Sequence, residues 1–189
     1  MNPMAPIVLS AMLAWAPPKT DGDRLRYESI AVDIDAVVSD QAEEPIAPGP
    51  EGRVRTALLL ASTAYDESYY RADVDDGRAR GDQGHSVCVM QIWVERTRDG
   101  WTADELIHNR QKCVRTALHI IRGSMAWCHQ LTGGDRLGGY THGKCVAPNR
   151  LGRGRWGRAF AWPLPALPVP DAAPHSSVFT PSTTRTKES

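Results

Sequence analysis

The segment from Arg53 to Tyr70 (RVRTALLLASTAYDESYY) constrains the fold more than any other part of this 189-residue chain. Between Thr56 and Tyr65 its residues are apolar on almost every side of a helix. A helix that is apolar all round has to be buried. The segment is therefore predicted to be the central helix of a small helical domain.

Further segments predict helices that cover this central one. Residues 23–43 have acids on one face and apolar residues at helical spacing on the other. These apolar positions are Leu25, Ile30, Ile34, Val37 and Val38. Thr102 and Glu105 have the spacing of a capping box, and the helix they open is predicted to run to about residue 128. Residues 87–94 (VCVMQIWV) fit either a strand or the start of a buried helix. The predicted fold class is mainly α, with a small irregular or hairpin region.

Composition divides the chain into three parts, which are an apolar N-terminal segment with a linker (1–22), a body (23–162) and a tail (163–189). The run PIVLSAMLAWA has the length of a signal-peptide core and ends in an A-x-A pattern, but no Lys or Arg precedes it. Two alternatives stay open, a cleaved export signal or a segment that stays attached and packs or dangles. The tail is rich in Pro, Ser and Thr and is predicted to be disordered, because it has too few apolar groups to repay ordering.

Charge and histidine spacing exclude several classes of partner. Lys and Arg total 22 and Asp and Glu total 22, so the whole molecule has no electrostatic grip on nucleic acid or on an anionic membrane. No apolar run reaches the ~20 residues of a transmembrane helix. The six histidines show no ligand spacing, so neither a metal nor a cofactor is expected. The basic run at 150–158 (RLGRGRWGR) is interpreted as a solvated surface segment, with local binding of anionic wall polymers or nucleic acid as the alternative.

The four cysteines lie between residues 88 and 145 and include no C-x-x-C pair. In one helix from 102 to 128, Cys113 and Cys128 would lie about 22 Å apart along the axis, which no disulfide spans. Two pairings stay open. We favour Cys88–Cys113 with Cys128–Cys145 over Cys88–Cys128 with Cys113–Cys145. Disulfides imply a location outside the cytoplasm, in the periplasm, in the medium or on a virus particle, whereas four free thiols would fit a cytosolic protein.

Glu67 is the leading candidate for chemistry. It lies near the C-terminal end of the most apolar helix, where desolvation and the negative end of the helix dipole both raise the pKa of a carboxyl group. A carboxyl group that stays protonated near neutral pH can give a proton to a leaving oxygen. The alternative is that Glu67 only marks where the helix emerges into solvent.

Three short motifs follow one another along the chain. Glu67-Ser68 ends the central helix, Val89-Met90-Gln91-Ile92 follows after a loop, and Tyr140-Thr141-His142-Gly143 comes after a further helix. This ordered set resembles the soluble lytic transglycosylases and goose-type lysozymes, the peptidoglycan-cleaving branch of the lysozyme superfamily. The resemblance extends over about residues 54–145.

The resemblance implies a lysozyme-like fold that cleaves the β-1,4 bond between N-acetylmuramic acid and N-acetylglucosamine in peptidoglycan strands. Glu67 matches the family's sole catalytic acid and base. Gln91 matches a residue that hydrogen-bonds the sugar, and Tyr140 one whose hydroxyl lies near the reacting centre. The other positions implied to line or support the substrate site are Ser68, Met90, Ile92, Thr141 and Gly143.

Two residues depart from the family pattern. Cys88 stands where the second motif usually has glycine, which suggests that a disulfide rather than glycine's flexibility fixes this edge of the site. Thr141 replaces the asparagine of the third motif, so the contact made by that asparagine is in doubt.

Three functional alternatives follow. The resemblance implies a transglycosylase, in which the muramoyl 6-hydroxyl captures the oxocarbenium ion and Glu67 then acts as base. A goose-type hydrolase would use a loop aspartate such as Asp73 or Asp82 to position water, although the acidic loop 73–82 is more simply interpreted as solvated. The third alternative is a catalytically silent glycan-binding or structural component of a virion or envelope assembly.

Overall fold

The computed structural model describes residues 4–97 and 99–165, which are mainly helical. This confirms the predicted mainly α class. The helices are α1 (Met4–Trp15), α2 (Asp21–Ser39), α3 (Gly52–Ser68), α4 (Ala72–Asp75), α5 (Ala103–His108), α6 (Arg110–Trp127), α7 (Gly138–His142) and α8 (Arg150–Ala161). The strands β1 (Ser86–Val87) and β2 (Ile92–Trp93) form the one sheet of these residues. Within the same residues, no helix has both the length and the apolar character that crossing a membrane requires.

Helix α3 is the central helix that the sequence predicts. Helices α1, α2 and α8 pack against it, and every side chain from position 56 to position 64 is buried. Its polar side chains have partners inside the core: the Thr63 hydroxyl donates to the Leu59 carbonyl over 2.8 Å, and Ser62 Oγ accepts from Arg158 Nε over 2.9 Å. Paired hydroxyls avoid the cost of burying an unsatisfied polar group.

Helices α1 and α2 form one side of the core. Thr20 caps α2 in a capping box with Asp23. On α1, Val8, Ala11 and Met12 are fully buried against α2 and α3. The N-terminal apolar segment therefore belongs to the core in this structure, while its removal as an export signal stays a prediction. The predicted disorder of the tail concerns residues that lie, from position 166 onward, outside the described part of the chain.

The expected single helix from 102 to 128 is wrong, because the chain forms two helices there, α5 and α6. Asn109 separates them with extended backbone (φ −133°, ψ 90°), and its side chain accepts from the Lys112 N–H over 3.0 Å as the N-cap of α6. An Asn side chain at an N-cap satisfies a helical N–H that would otherwise lack a partner. The predicted capping box of Thr102 and Glu105 is confirmed at the start of α5.

The apolar run at 87–94 forms a two-stranded antiparallel hairpin, with Val87 opposite Ile92. Cys88 is bonded to Cys113 of α6, and Cys128 at the end of α6 is bonded to Cys145. The favoured disulfide pairing is therefore confirmed. The two bonds attach the hairpin and the segment after α7 to the same helix.

Candidate active site

Glu67 is the next-to-last residue of α3. The helix ends there because Tyr69 and Tyr70 both adopt the left-handed conformation (φ 51° and 53°). The side chain of Glu67 keeps about a quarter of its surface exposed (24%). Ser68 beside it is buried, and its hydroxyl donates to the Ala64 carbonyl over 2.8 Å and accepts from the Tyr70 N–H over 3.1 Å. Ser68 thus stabilises the helix end that presents Glu67.

The surroundings of Glu67 favour its protonated form. Burial raises the pKa of the Glu67 carboxyl above its ordinary value of 4.5, and the charges of Asp66 and Asp82 add to the rise. The Arg155 guanidinium opposes it. The direction agrees with the one expected from an apolar helix end, and desolvation is the dominant cause.

Arg155 is the side chain that pairs with Glu67, a pairing that none of the sequence motifs predicts. Its Nη2 lies 2.8 Å from Glu67 Oε1, and its Nε donates to Asp66 over 3.2 Å. Only 4% of its side chain is exposed. The interpretation of residues 150–158 as a solvated segment is therefore wrong for Arg155, because α8 packs along α3 and turns this side chain inward.

The position of α8 depends on close backbone contact. Asn149 caps the helix by accepting from the Gly152 N–H over 3.0 Å. A Cβ atom on Gly152 would lie 2.1 Å from the carbonyl oxygen of Gly134, so only glycine allows this approach. A helical spacing of three residues then puts Arg155 and Arg158 on one face, opposite Asp66. This spacing was the available signal in the sequence, but it does not reveal the partner.

The turn of the hairpin holds the second motif. Cys88 and Gln91 have positive φ (60° and 48°). The side-chain amide of Gln91 donates through Nε2 to the Cys88 carbonyl over 3.2 Å. Cys88 thus occupies the left-handed conformation that favours glycine, with a disulfide as its additional restraint. The Gln91 side chain is half-buried, and a Cβ on Gly81 would lie 2.3 Å from its Oε1.

Tyr140 connects the second and third motifs. Its hydroxyl donates to the Met90 carbonyl over 3.1 Å, and its ring centre lies 5.4 Å from the Arg155 guanidinium. Burial raises the pKa of the Tyr140 hydroxyl well above its ordinary value, and the charge of Glu67 adds to this rise. Tyr140 therefore stays a hydrogen-bond donor at neutral pH. Met90 and Ile92 are buried in the core, as the sequence suggests for anchors of the motif.

Thr141 and Gly143 shape the end of α7. The Thr141 hydroxyl donates to the Leu137 carbonyl over 3.0 Å and lies 3.3 Å from Asn149 Oδ1. Gly143 is exposed and ends the helix in the left-handed conformation (φ 65°). The Thr141 contacts connect α7 to the start of α8, while a contact of Thr141 or Gly143 with substrate stays a prediction.

The acidic loop divides into paired and unpaired carboxylates. Asp73 pairs with Arg71, Asp75 with Arg110 and Asp76 with Arg78. Asp82 is exposed, accepts from Ser86 Oγ over 2.5 Å and is close enough to Glu67 to affect its titration. Asp82 is thus the loop aspartate with access to the candidate site. Across residues 4–97 and 99–165, no group of three or more His, Cys, Asp or Glu side chains has the arrangement to hold a metal ion.

No protein-family model, no curated protein and no solved structure matches this chain.

Proposed function

We propose that the chain is a lysozyme-like enzyme that cleaves the β-1,4 bond between N-acetylmuramic acid and N-acetylglucosamine in peptidoglycan. The observation that carries the proposal is Glu67 itself, a carboxyl group at the end of a buried helix whose pKa is raised by burial. Gln91 and Tyr140, the two polar side chains of the other motifs, support it from the hairpin turn and from α7. The two disulfides support a site of action outside the cytoplasm.

The proposed reaction uses one carboxyl group twice. Protonated Glu67 gives its proton to the glycosidic oxygen, the C1–O bond breaks, and an oxocarbenium ion forms on the muramoyl ring. Arg155 stabilises the carboxylate that remains, because its guanidinium lies 2.8 Å from Glu67 Oε1. The muramoyl 6-hydroxyl then attacks C1 and returns its proton to Glu67. The product carries a 1,6-anhydro ring, and no water is consumed.

Hydrolysis is the second candidate, and Asp82 favours it. This carboxylate is exposed and acts on the titration of Glu67, so it is available to position a water molecule. Water would then attack C1 in place of the 6-hydroxyl, as in glycosidases with two carboxylates. The product would be heavier than the anhydro sugar by one water.

The variant Glu67→Gln tests the proposal. It retains the shape of the side chain but cannot deliver a proton, so digestion of purified peptidoglycan should fall about 100-fold or more while the protein stays folded. Glu28→Gln is the matched control, because Glu28 is an exposed residue of α2 that pairs with Arg24. Equal digestion by Glu67→Gln and the parent would contradict the assignment and favour the catalytically silent component of a virion or envelope assembly.

Asp82→Asn separates the two reactions. If the 6-hydroxyl captures the oxocarbenium ion, this variant should lose less than about tenfold in rate, whereas loss of a water-positioning carboxylate costs about 100-fold. Mass spectrometry of the released muropeptides gives the independent answer. Anhydro ends support transglycosylation, and products with one added water support hydrolysis.

A further inference from the structure

A second groove runs along the exposed face of α6. Its volume is about 470 Å³, within the range of small-molecule sites. The residues that line it are Arg96, Asp99, Thr116, His119, Ile120, Gly123, Ser124, Trp127 and Gly139. Most of them belong to α6, and Gly139 of α7 closes one end.

Trp127 is an exposed aromatic ring at that end of the groove, with 57% of its surface accessible. A Cβ on Gly139 would lie 2.9 Å from the ring carbon Cε3 and 2.9 Å from Ser124 Oγ, so α7 approaches the ring as closely as glycine allows. The neighbouring Cys128 is fixed by its disulfide to Cys145. The indole is therefore an anchored platform rather than a loose surface side chain.

Gly123 leaves the floor of the groove open beside this platform. It lies one helical turn before Trp127, and a Cβ built on it would meet nothing within 4 Å. Glycine inside a helix costs roughly 1 kcal/mol relative to alanine. Neither packing nor a left-handed backbone requires glycine here, so its effect is to leave space above α6.

The other end of the groove is polar and held in place. Asp99 accepts from Thr116 Oγ1 over 3.0 Å and lies 3.4 Å from Nδ1 of His119. The opposite ring nitrogen of His119 lies 3.0 Å from the Glu43 carboxylate. Arg96 lines the same end, with its guanidinium 3.9 Å from the Trp93 ring centre. These groups offer hydrogen bonds in fixed directions at a distance from the aromatic platform.

We propose that this groove binds a chain of β-linked N-acetylhexosamines. A sugar ring would pack on Trp127, and hydroxyl or acetamido groups would hydrogen-bond to Asp99 and His119. A pyranose ring has a C–H face that packs on an aromatic surface and an edge of hydroxyls that need hydrogen bonds, and the groove offers both. The choice of this sugar rests on the proposed function.

Tyr140 contacts both a residue that lines this groove and the hairpin of the candidate active site. The Tyr140 N–H donates to Ser124 Oγ over 3.0 Å, and the hydroxyl of the same residue donates to the Met90 carbonyl over 3.1 Å. A glycan strand lying on Trp127 would therefore lead toward Tyr140. This proximity favours an extended strand over an isolated monosaccharide.

Binding of tri-N-acetylchitotriose to the full chain tests the assignment. The Glu67→Gln variant prevents turnover, and the indole N–H signal of Trp127 in NMR spectra reports the site. We expect this signal to shift on titration, and Trp127→Ala to weaken binding by about tenfold or more. Gly123→Leu should weaken binding to a similar extent without loss of thermal stability, because leucine fills the groove and favours the helix.

Gly157→Leu is the matched control. Gly157 is also exposed within a helix, α8, and a Cβ on it would meet nothing within 4 Å. Unchanged affinity in Gly157→Leu together with loss in Gly123→Leu supports the groove. The groove assignment is overturned if chitotriose shifts the NMR signals of Gln91 and Tyr140 but not the indole signal of Trp127, and if Gly123→Leu binds it as tightly as the parent. The proposed cleavage at Glu67 would stand in that case. Failure of the proposed function shows separately, as equal peptidoglycan digestion by Glu67→Gln and the parent.

Discussion

At the residue scale, Glu67 and Glu105 show how the same side chain is driven toward opposite charge states. Burial raises the pKa of Glu67 above 4.5. The Thr102 N–H and hydroxyl, with the Lys112 ammonium, lower the pKa of Glu105 to about 2. Protonation of Glu67 thus contributes stability that is fully present below pH 4.5 and is lost as the pH rises through the pKa of Glu67 in the folded protein. Ionised Glu105 contributes stability above 4.5 that is lost as the pH falls toward 2.

These opposite signs predict opposite effects of the two Glu→Gln variants on thermal stability. The amide introduced by Glu67→Gln mimics the neutral acid. The melting temperature of this variant should therefore equal that of the parent near about pH 4 and exceed it near about pH 8. Glu105→Gln should melt below the parent near about pH 8, and the difference should shrink as the pH approaches 2. Thermal denaturation across this pH range provides the measurement. A Glu67→Gln variant that is less stable than the parent at alkaline pH would contradict the raised pKa.

Arg155 is expected to set the upper pH limit of cleavage. Its guanidinium lowers the pKa of Glu67 against the larger effect of burial, so Arg155→Met should raise that pKa further. Since the acid form gives the proton, the alkaline limb of the pH–rate profile should move upward by the same amount. Arg155→Lys should move it less, because the ammonium keeps the charge.

The measurements for Arg155 separate charge from packing. Carboxyl ¹³C shifts of labelled glutamate report the Glu67 titration directly, with or without activity. Arg153→Met is the control, because Arg153 lies on the same helix but pairs with Asp135 rather than with Glu67. If Glu67 titrates at the same pH in the parent and in Arg155→Met, the ion pair has no role in tuning the acid.

At the scale of secondary-structure elements, local patterns predicted α3 and the capping box that opens α5, but neither the capping box of α2 nor the break at Asn109. Apolar periodicity continues through residues 102–128, whereas an Asn side chain that caps a new helix interrupts the backbone hydrogen bonding. Helix geometry correctly excluded a Cys113–Cys128 bond, because both cysteines lie after that break, but it left two pairings open, of which the favoured one formed.

The candidate site was predictable where a residue's own neighbours decide its environment. Glu67 satisfied this condition, because the apolar turns of α3 before it cause the desolvation. Arg155 did not, since its partners Asp66 and Glu67 lie almost ninety positions away along the chain. Long-range packing of α8 on α3 determines the Arg155 contacts, and no local pattern in the sequence encodes it. The hydrogen bonds of Ser68 are local ones at the helix end, and its predicted place in the substrate site stays a prediction.

At the scale of the whole molecule, the covalent links are concentrated on one helix, α6. Both disulfides involve α6 or its end, and they attach the hairpin and the segment after α7 to it. The packing of α1 and α2 on α3 depends on apolar contacts instead, with Val8, Ala11 and Met12 fully buried. The part of the molecule that holds Gln91 and Tyr140 is thus the part that reduction would loosen.

Reduction is therefore expected to destabilise the molecule, first at the hairpin and at the segment after α7. The two bonds close loops with sequence separations of 25 and 17 residues, and each should contribute about 3 kcal/mol in the chain-entropy account. Since small domains have only about 5–15 kcal/mol in total, loss of both leaves little stability. Denaturant unfolding with and without reductant should show the decrease in the free energy of unfolding. The double variant Cys88→Ala with Cys113→Ala should show about half of that decrease, because it lacks only one of the two bonds. Hydrogen exchange then locates the effect, because amides of the hairpin should lose protection while those of α2 keep theirs. Equal unfolding midpoints for the oxidised and reduced chain would show that apolar packing alone holds the hairpin and the segment after α7 in place.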